Sequence, residues 1–349
     1  MNKSSDIQNL VVGGTGFLGG AIVDALVGNG HRVAVLSRGA TSRSLPEGVE
    51  VIKADRHGDL SALRGRSFDR VFDTCAFTPD AVTSLLDALD GKLGRYVLAS
   101  TISTYGCYDK PGLTEATEVP VATQDDFARA AAVPLADRAS AAAYGPSYGP
   151  LKRACEIVAE QRLGSQATAL RIGLIVGAGD YTDRLTWWVR RIDEAGRTKS
   201  RIVVAPLPTD RPVQVLDVRD AAGFAVLCAE DELGGVWNVN GSVMPLQKLL
   251  NEIHASTASQ AEIQWISSDA FLAAGANPWT DVPFMTPDVP AFRHFLEVDA
   301  SRARAAGLQS RPLRETFEDL VIWDRTRRDK ELICGLSPEQ EESVLEKAS

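Results

Sequence analysis

Tyr148 and Lys152 stand four residues apart in Tyr148-Gly149-Pro150-Leu151-Lys152. That spacing puts both side chains on one face of a helix. A free phenol titrates near ~10 and is a poor base at neutral pH. An ammonium close by favours the phenolate and lowers that value. Such a pair can exchange a proton with a substrate hydroxyl or carbonyl while hydride leaves or arrives at the same carbon. A third group would steady the reacting oxygen. A Ser or Thr where an apolar strand stops, in Ser100-Thr101-Ile102-Ser103-Thr104-Tyr105-Gly106, can do so.

A site for a hydride carrier lies at the other end of the half-chain, in residues 9–20. Leu10-Val11-Val12 reads as a buried strand, Gly13, Gly16 and Gly19 follow, and Ala21 to Val27 is apolar at helical spacing. Strand, glycine turn and helix together suit a dinucleotide. Gly13 permits the tight turn, Gly16 lets a pyrophosphate approach the backbone, and Gly19 lets the helix pack closely. Amides at the helix start face the phosphates. The alternative is a glycine-rich turn that holds nothing.

The second strand, His31 to Leu36, ends at Ser37-Arg38-Gly39. An acidic residue there would bind the ribose hydroxyls of NAD, and none is present. Arg38 can instead pair with a 2′-phosphate, which favours NADP over NAD. Thr41, Ser42 and Arg43 could assist it. The alternative reading of Arg38 is a solvated loop cation.

Further strands are expected at Val51-Ile52, Arg70 to Asp73, Tyr96 to Ala99 and Ala167 to Leu170. The helices between them start at Pro79-Asp80 and at Pro150, prolines that suit a first turn. This alternation predicts a parallel, doubly wound α/β sheet of Rossmann type. Residues 1–173 form that dinucleotide-binding domain. Residues 107–147, with Pro111, Pro120, Pro134 and an alanine-rich piece, read as an active-site flap or a surface insertion. Residues 174–349 read mainly as a smaller C-terminal α/β subdomain for substrate, with 211–230 returning to the first core.

Composition narrows the class. Across 349 residues the net charge is −9, which argues against a general nucleic-acid binder. The five cysteines are scattered and never C-x-x-C, and the four histidines have no ligand spacing. No apolar leader and no membrane-length run is read in the sequence. A cytoplasmic, metal-free protein is the expectation.

The glycine spacing G-x-x-G-x-x-G, Thr101 four before Tyr105-Gly106, and the Tyr148/Lys152 pair together resemble the extended short-chain dehydrogenase/reductases, in the NAD(P)-dependent epimerase/dehydratase branch. The resemblance spans roughly residues 8–330 and is tightest in the first half. It implies Thr101, Tyr148 and Lys152 as the catalytic set, with Lys152 also holding the nicotinamide ribose. It implies a cofactor cradle of Gly13, Thr15, Gly16, Phe17, Leu18, Gly19, Ser37, Arg38, Asp55, Arg56, Cys75, Ala76, Ala99, Lys152 and Arg171. Asp55 would face the adenine, or else cap a helix or turn. Thr101, Tyr144, Tyr181 and Arg211 would meet the substrate. Helices at 81–89 and 150–162 imply a homodimer.

Two departures bear on the reaction. Ile102-Ser103 replaces the Asp-Glu pair that sugar-nucleotide 4,6-dehydratases carry after the catalytic Thr, which counts against water elimination. Arg171-Ile172 replaces the usual Arg-Pro. Further on, Trp187-Trp188 with Arg190-Arg191 reads as an aromatic core face with a solvated cationic face, or as a pocket for a ring and an anion. Residues 276–293 read as a cover over the substrate pocket, and the charged tail from Arg325 as peripheral or oligomer-facing. The expected activity is NADP-preferring hydride transfer at a secondary alcohol or ketone carbon of a small-molecule substrate. A sugar or sugar nucleotide is the leading class, handled by a reductase or epimerase. The alternatives are a natural-product ketone reductase and a non-catalytic NADP- or RNA-binding protein on the same fold.

Overall fold

The structure, a computed structural model, describes residues 7–39, 43–195 and 201–348. Thr41 and Ser42 lie outside the described residues. The first half runs β1 (Gln8–Val12), α1 (Phe17–Gly28), β2 (Arg32–Ser37), β3 (Glu50–Lys53), β4 (Phe68–Asp73), α2 (Pro79–Leu89), β5 (Leu93–Thr101), α3 (Gln124–Ala132), α4 (Tyr148–Leu163) and β6 (Ala167–Ile172). The second half runs β7 (Ile175–Val176), α5 (Arg184–Ala195), β8 (Ile202–Pro206), β9 (Pro212–Val213), β10 (Leu216–Asp217), α6 (Val218–Glu230), β11 (Gly235–Val239), β12 (Met244–Pro245), α7 (Leu246–Thr257), β13 (Glu262–Ile266) and α8 (Ser268–Ala273). It ends with α9 (Ser301–Ala305), α10 (Leu313–Arg325) and α11 (Pro338–Ala348).

Seven strands make one parallel sheet in the order β3-β2-β1-β4-β5-β6-β11. Its two faces follow from strand alternation. Val11, Val35, Phe72, Val97 and Leu170 point to the layer of α1 and α6. Leu10, Val12, Leu36, Val71 and Leu98 point to the layer of α2 and α4. The chain direction of winding reverses between β1 and β4, so a crevice opens beyond their carboxyl ends. Gly13, Thr74 and Thr101 all lie at that edge.

Segment 218–239 returns to the sheet, α6 against α1 and β11 beside β6. The C-terminal core gathers α5, α7 and α10 around the parallel pair β8–β13. Residues 276–293 contribute to that core through Val282, Phe284 and Met285. The stretch after Cys107 is not free either: Tyr108 N–H donates to Ala291 O at 2.8 Å and Gly112 N–H to Glu297 O at 2.7 Å. Its later part contains α3, which begins with a Thr123/Asp126 capping box.

Two expectations are corrected. Helix α4 starts at Tyr148 rather than Pro150, so the proline stands third in the helix. It is tolerated there because the first-turn N–H groups have no intrahelical acceptor. The charged tail is not peripheral. Arg190 pairs with Asp324 at 2.7 Å, Arg327 with Asp183 at 2.8 Å and Arg191 with Glu341 at 2.5 Å. The cationic face of α5 is therefore neutralised by and covered with the tail, while Trp187 and Trp188 are core residues. Among the described residues no helix is long and apolar enough to cross a membrane.

Val344 of α11 is fully buried in the C-terminal core. Val344→Asp is expected to cost about 3 kcal/mol, because a carboxylate replaces a packed side chain with no partner. Urea unfolding measures the loss; a midpoint unchanged from the parent would show that α11 does not dock.

Candidate active site

The edge of the sheet builds the cradle first. Gly13 has φ +81°, and a Cβ there would lie 2.6 Å from Thr74 Oγ1. A Cβ at Gly19 would fall 2.2 Å from Gly13 O, so helix and turn touch backbone to backbone. Gly16 caps α1 without a side chain, and its N–H donates to Gly13 O at 2.9 Å. The first turn of α1 carries no acidic residue. Its amides and dipole thus favour an anion. Thr15 and Ser37 hydroxyls meet at 3.2 Å, and Ser37 Oγ accepts from Gly39 N at 3.1 Å. Arg38 is exposed just beyond, at the end of β2. Phe17 packs on the loop at Gly177 and Gly179, and Leu18 packs on the core.

Beneath the crevice lies a buried ion pair. Arg56 holds Asp73 with both ends of its fork, at 2.5 and 3.0 Å. Tyr96 donates to Asp73 Oδ2 at 2.8 Å. Burial by itself would raise the Asp73 carboxyl; the guanidinium and these bonds outweigh it and hold it below the usual carboxylate range. Cys75 N–H also reaches Asp73, at 3.3 Å, so the loop after β4 is fixed from below.

The three residues expected to react, Thr101, Tyr148 and Lys152, lie above that floor. Thr101 ends β5, and its Oγ1 accepts from Ser103 N at 3.1 Å. Lys152 is 2% exposed. Its ammonium donates to Ala76 O at 2.6 Å and also to Ala99 O, and it sits 5.5 Å from the Phe77 ring centre. Burial pulls its pKa down. Burial pushes the Tyr148 phenol up to about 12, and a hydrogen bond with Thr101 opposes the rise. The Lys152 charge is directed to two backbone carbonyls, and burial and Thr101 are the two largest influences on Tyr148. Phe77 lies against Tyr148 and Tyr144, with ring centres 6.2 and 5.7 Å away.

These observations can be set beside known proteins. Residues 9–85 match the family model described as NAD dependent epimerase/dehydratase family. Over that segment the chain is similar to that family. Over 122 residues it is 36% identical to 2′-dehydrokanamycin reductase of Streptomyces kanamyceticus, which is 34% of each chain. The match therefore spans about a third of that relative's length. Among solved structures, UDP-N-acetylglucosamine 4-epimerase from Methanobrevibacter ruminantium, in complex with UDP-N-acetylmuramic acid, has a TM-score of 0.66 at 19% identity, over 93% of this chain and 99% of that one. MoeE5 in complex with UDP-glucose and NAD has 0.60 at 20%, over 92% and 99%. At these identities the likeness is one of fold.

Several residues that the epimerase/dehydratase pattern assigns to ligands carry other bonds here. Arg56 is engaged by Asp73 and by Ala81 O at 2.7 Å. Asp55 closes a turn, accepting from His57 N at 2.9 Å. Arg171 is buried in a bidentate pair with Glu156, at 3.1 and 2.8 Å. Tyr144 is buried, and its hydroxyl donates to Arg138 O at 3.1 Å. Arg211 donates to Leu207 O at 2.7 Å and Ser268 Oγ at 3.1 Å, within the C-terminal part. Tyr181 is exposed and interacts electrostatically with Tyr148. Among the described residues no group of three or more His, Cys, Asp or Glu could hold a metal.

Two residues were missed from sequence. Phe77 had no readable signal beyond being apolar after a strand. Gly149 did, lying between Tyr148 and Lys152 where any residue suits a helix. A Cβ on Gly149 would fall 2.1 Å from Ser103 O, so α4 rests directly on the backbone after β5. Gly149→Ala is expected to push the helix off that contact and cost about 1–3 kcal/mol. Turnover should fall more than stability. Paired thermal melts and assays would detect this, and an Ala variant with parental turnover would show that the contact is not needed.

Proposed function

We propose that the chain is an NADP-preferring reductase of the extended short-chain type, acting at a ketone or secondary alcohol carbon of a sugar or sugar-like substrate. The observation that supports it most is the seating of α4, which carries Tyr148 and Lys152, on the backbone just after Thr101 at the carboxyl edge of the sheet, where Lys152 donates to Ala76 O and Ala99 O. The cradle fits a dinucleotide: a Cβ at Gly13 or Gly19 would fill it, and the α1 amides face an anion. Gly13, Gly16 and Gly19 would hold the pyrophosphate, Arg38 the 2′-phosphate, and Lys152 the ribose with its remaining proton. A bound nicotinamide would exchange hydride with the substrate carbon.

The protein's own part is the proton. A phenol held up to about 12 is neutral at working pH. Tyr148 therefore stands ready to donate to a carbonyl oxygen, as ketone reduction needs. Thr101 binds the same oxygen and orients it. Acting as a base, for alcohol oxidation, would require Tyr148 to lose that proton first. The similarity to 2′-dehydrokanamycin reductase supports the reductive direction and a sugar-like substrate. The fold shared with UDP-sugar enzymes supports a second reading, epimerisation with retained cofactor.

Tyr148→Phe should lower turnover by about 10²–10⁴, with cofactor binding unchanged. The test starts by identifying any cofactor released from denatured protein, then titrates NADPH and NADH. Dissociable NADPH with the Phe variant inactive supports the reductase. Full activity without the phenol would overturn the assignment.

The pH profile has a defined sign. Reduction should stay level through neutral and mildly alkaline pH, since the phenol remains protonated there. Oxidation should rise with pH over the same range. Stopped-flow rates in both directions measure this, and a reduction rate falling across neutrality would remove Tyr148 as the acid.

A further inference from the structure

The segment that follows α10 does more than cover α5. It turns at residues 324–330, where Arg327 N–H donates to Asp324 O and Lys330 N–H to Arg327 O, both at 3.0 Å. Arg190 of α5 grips that turn. It pairs with Asp324 at 2.7 Å and donates to Arg327 O at 3.1 Å and Lys330 O at 2.7 Å. From this fixed turn the Arg327 side chain reaches Asp183 Oδ1 at 2.8 Å. Ile333 N–H donates to Asp183 Oδ2 at 3.2 Å, and the Cys334 thiol donates to Thr182 O at 3.4 Å. Asp183 is buried, and both its carboxylate oxygens are held by the tail.

Asp183 ends loop 177–183, which runs from β7 to α5. Its φ is +54°, in the left-handed region that a residue other than glycine enters when its surroundings hold it there. Its carbonyl accepts from Trp187 N–H at 2.7 Å, so α5 starts from it. At its other end the loop lies on the glycine turn. A Cβ at Gly179 would meet the Phe17 ring at 3.6 Å, and one at Gly177 would meet it at 3.9 Å. Phe17 is the first residue of α1, directly after Gly16. Between the two ends Asp180 closes the loop on itself. Its N–H donates to Gly177 O at 3.1 Å, and its Oδ1 accepts from Thr182 N–H at 2.8 Å and from Thr182 Oγ1 at 2.7 Å. A turn braced in this way passes a displacement of Asp183 on to Gly177 and Gly179 through connected bonds.

We propose that Arg327 and Asp183 are a positioning pair for the dinucleotide site: the C-terminal segment holds loop 177–183 against the start of α1 and thereby sets how fast the cofactor leaves. This rests on the nicotinamide-cofactor reading above. It adds to that reading a control supplied by a residue 144 positions further along the chain. The loop is placed for this because a pyrophosphate at the α1 amides would lie beside Phe17, which the loop touches. Neither residue of the pair bonds to Thr101, Tyr148 or Lys152. They act through the backbone of the loop, on retention of the dinucleotide rather than on the proton.

The test follows release of NADPH from the whole chain by stopped-flow fluorescence, with NADH as a second probe. Asp183→Asn removes the charge but keeps an acceptor. Arg327→Lys keeps the charge. The double variant Asp183→Asn with Arg327→Met leaves no buried charge without its partner, so it folds where a single change is too costly. Glu341→Gln loosens the tail at Arg191 instead and is the control. Asp183→Asn and the double variant should release NADPH about tenfold faster than the parent. Arg327→Lys should stay near the parent, and Glu341→Gln should match it even where its melting temperature falls as far. Hydrogen exchange at the Asp180 and Thr182 amides should quicken in the fast-releasing variants and not in the control. Parental release from the double variant would overturn the proposal and leave the cofactor reading in place. Equal acceleration by Glu341→Gln would assign the effect to general loosening of the tail and overturn it too. A parent that binds neither NADPH nor NADH would remove the cofactor reading itself, and the proposal with it.

Discussion

The Lys152 ammonium is the interaction on which the site depends. It is buried, and a buried ammonium is costly unless its protons are accepted. Two are taken by backbone carbonyls, Ala76 O after β4 and Ala99 O within β5. One side chain from α4 therefore joins two strands at the edge where ligands bind. That fixes the height of α4 over the sheet, and Tyr148 is one turn earlier on the same helix. The close approach has a second requirement, the absence of a side chain at Gly149.

Below this clamp the Asp73–Arg56 pair does related work. A buried ion pair is weak evidence for stability, but losing one partner is severe. Here the pair, with Tyr96 and the Cys75 amide, defines the loop whose carbonyl Lys152 grips. The floor of the crevice is therefore one connected polar network rather than separate contacts. The same logic recurs in the C-terminal part, where Arg190 and Arg191 of α5 meet Asp324 and Glu341, and Asp193 of α5 meets Arg328 of the tail.

Electrostatics set the character of Tyr148. Desolvation raises the phenol, and the nearest ammonium is directed elsewhere, so Thr101 is the moderating group. A protonated tyrosine beside a hydroxyl is a proton donor in waiting, which distinguishes this arrangement from one tuned as a base at neutral pH.

Much of this was written in the sequence. Gly13, Gly16 and Gly19 between an apolar run and a helical run specify a strand–turn–helix, because only glycine suits the left-handed turn and the backbone contact. The β/α alternation specifies a parallel sheet, and the four-residue spacing of Tyr148 and Lys152 puts them on one helix face. What only the tertiary structure decided was how each charge is used. Arg56, Arg171 and Arg211 look like ligand-binding cations in a linear chain, yet each meets an acceptor brought from distant sequence. Lys152 likewise meets carbonyls 76 and 53 residues away rather than a phenol four residues away. The tail is read as peripheral from its charge, but the opposite charges that bury it lie over a hundred residues upstream on α5. Local pattern determines backbone conformation because its causes are local. The partner of a buried charge is set by which segments the fold packs together, and no spacing along the chain records that.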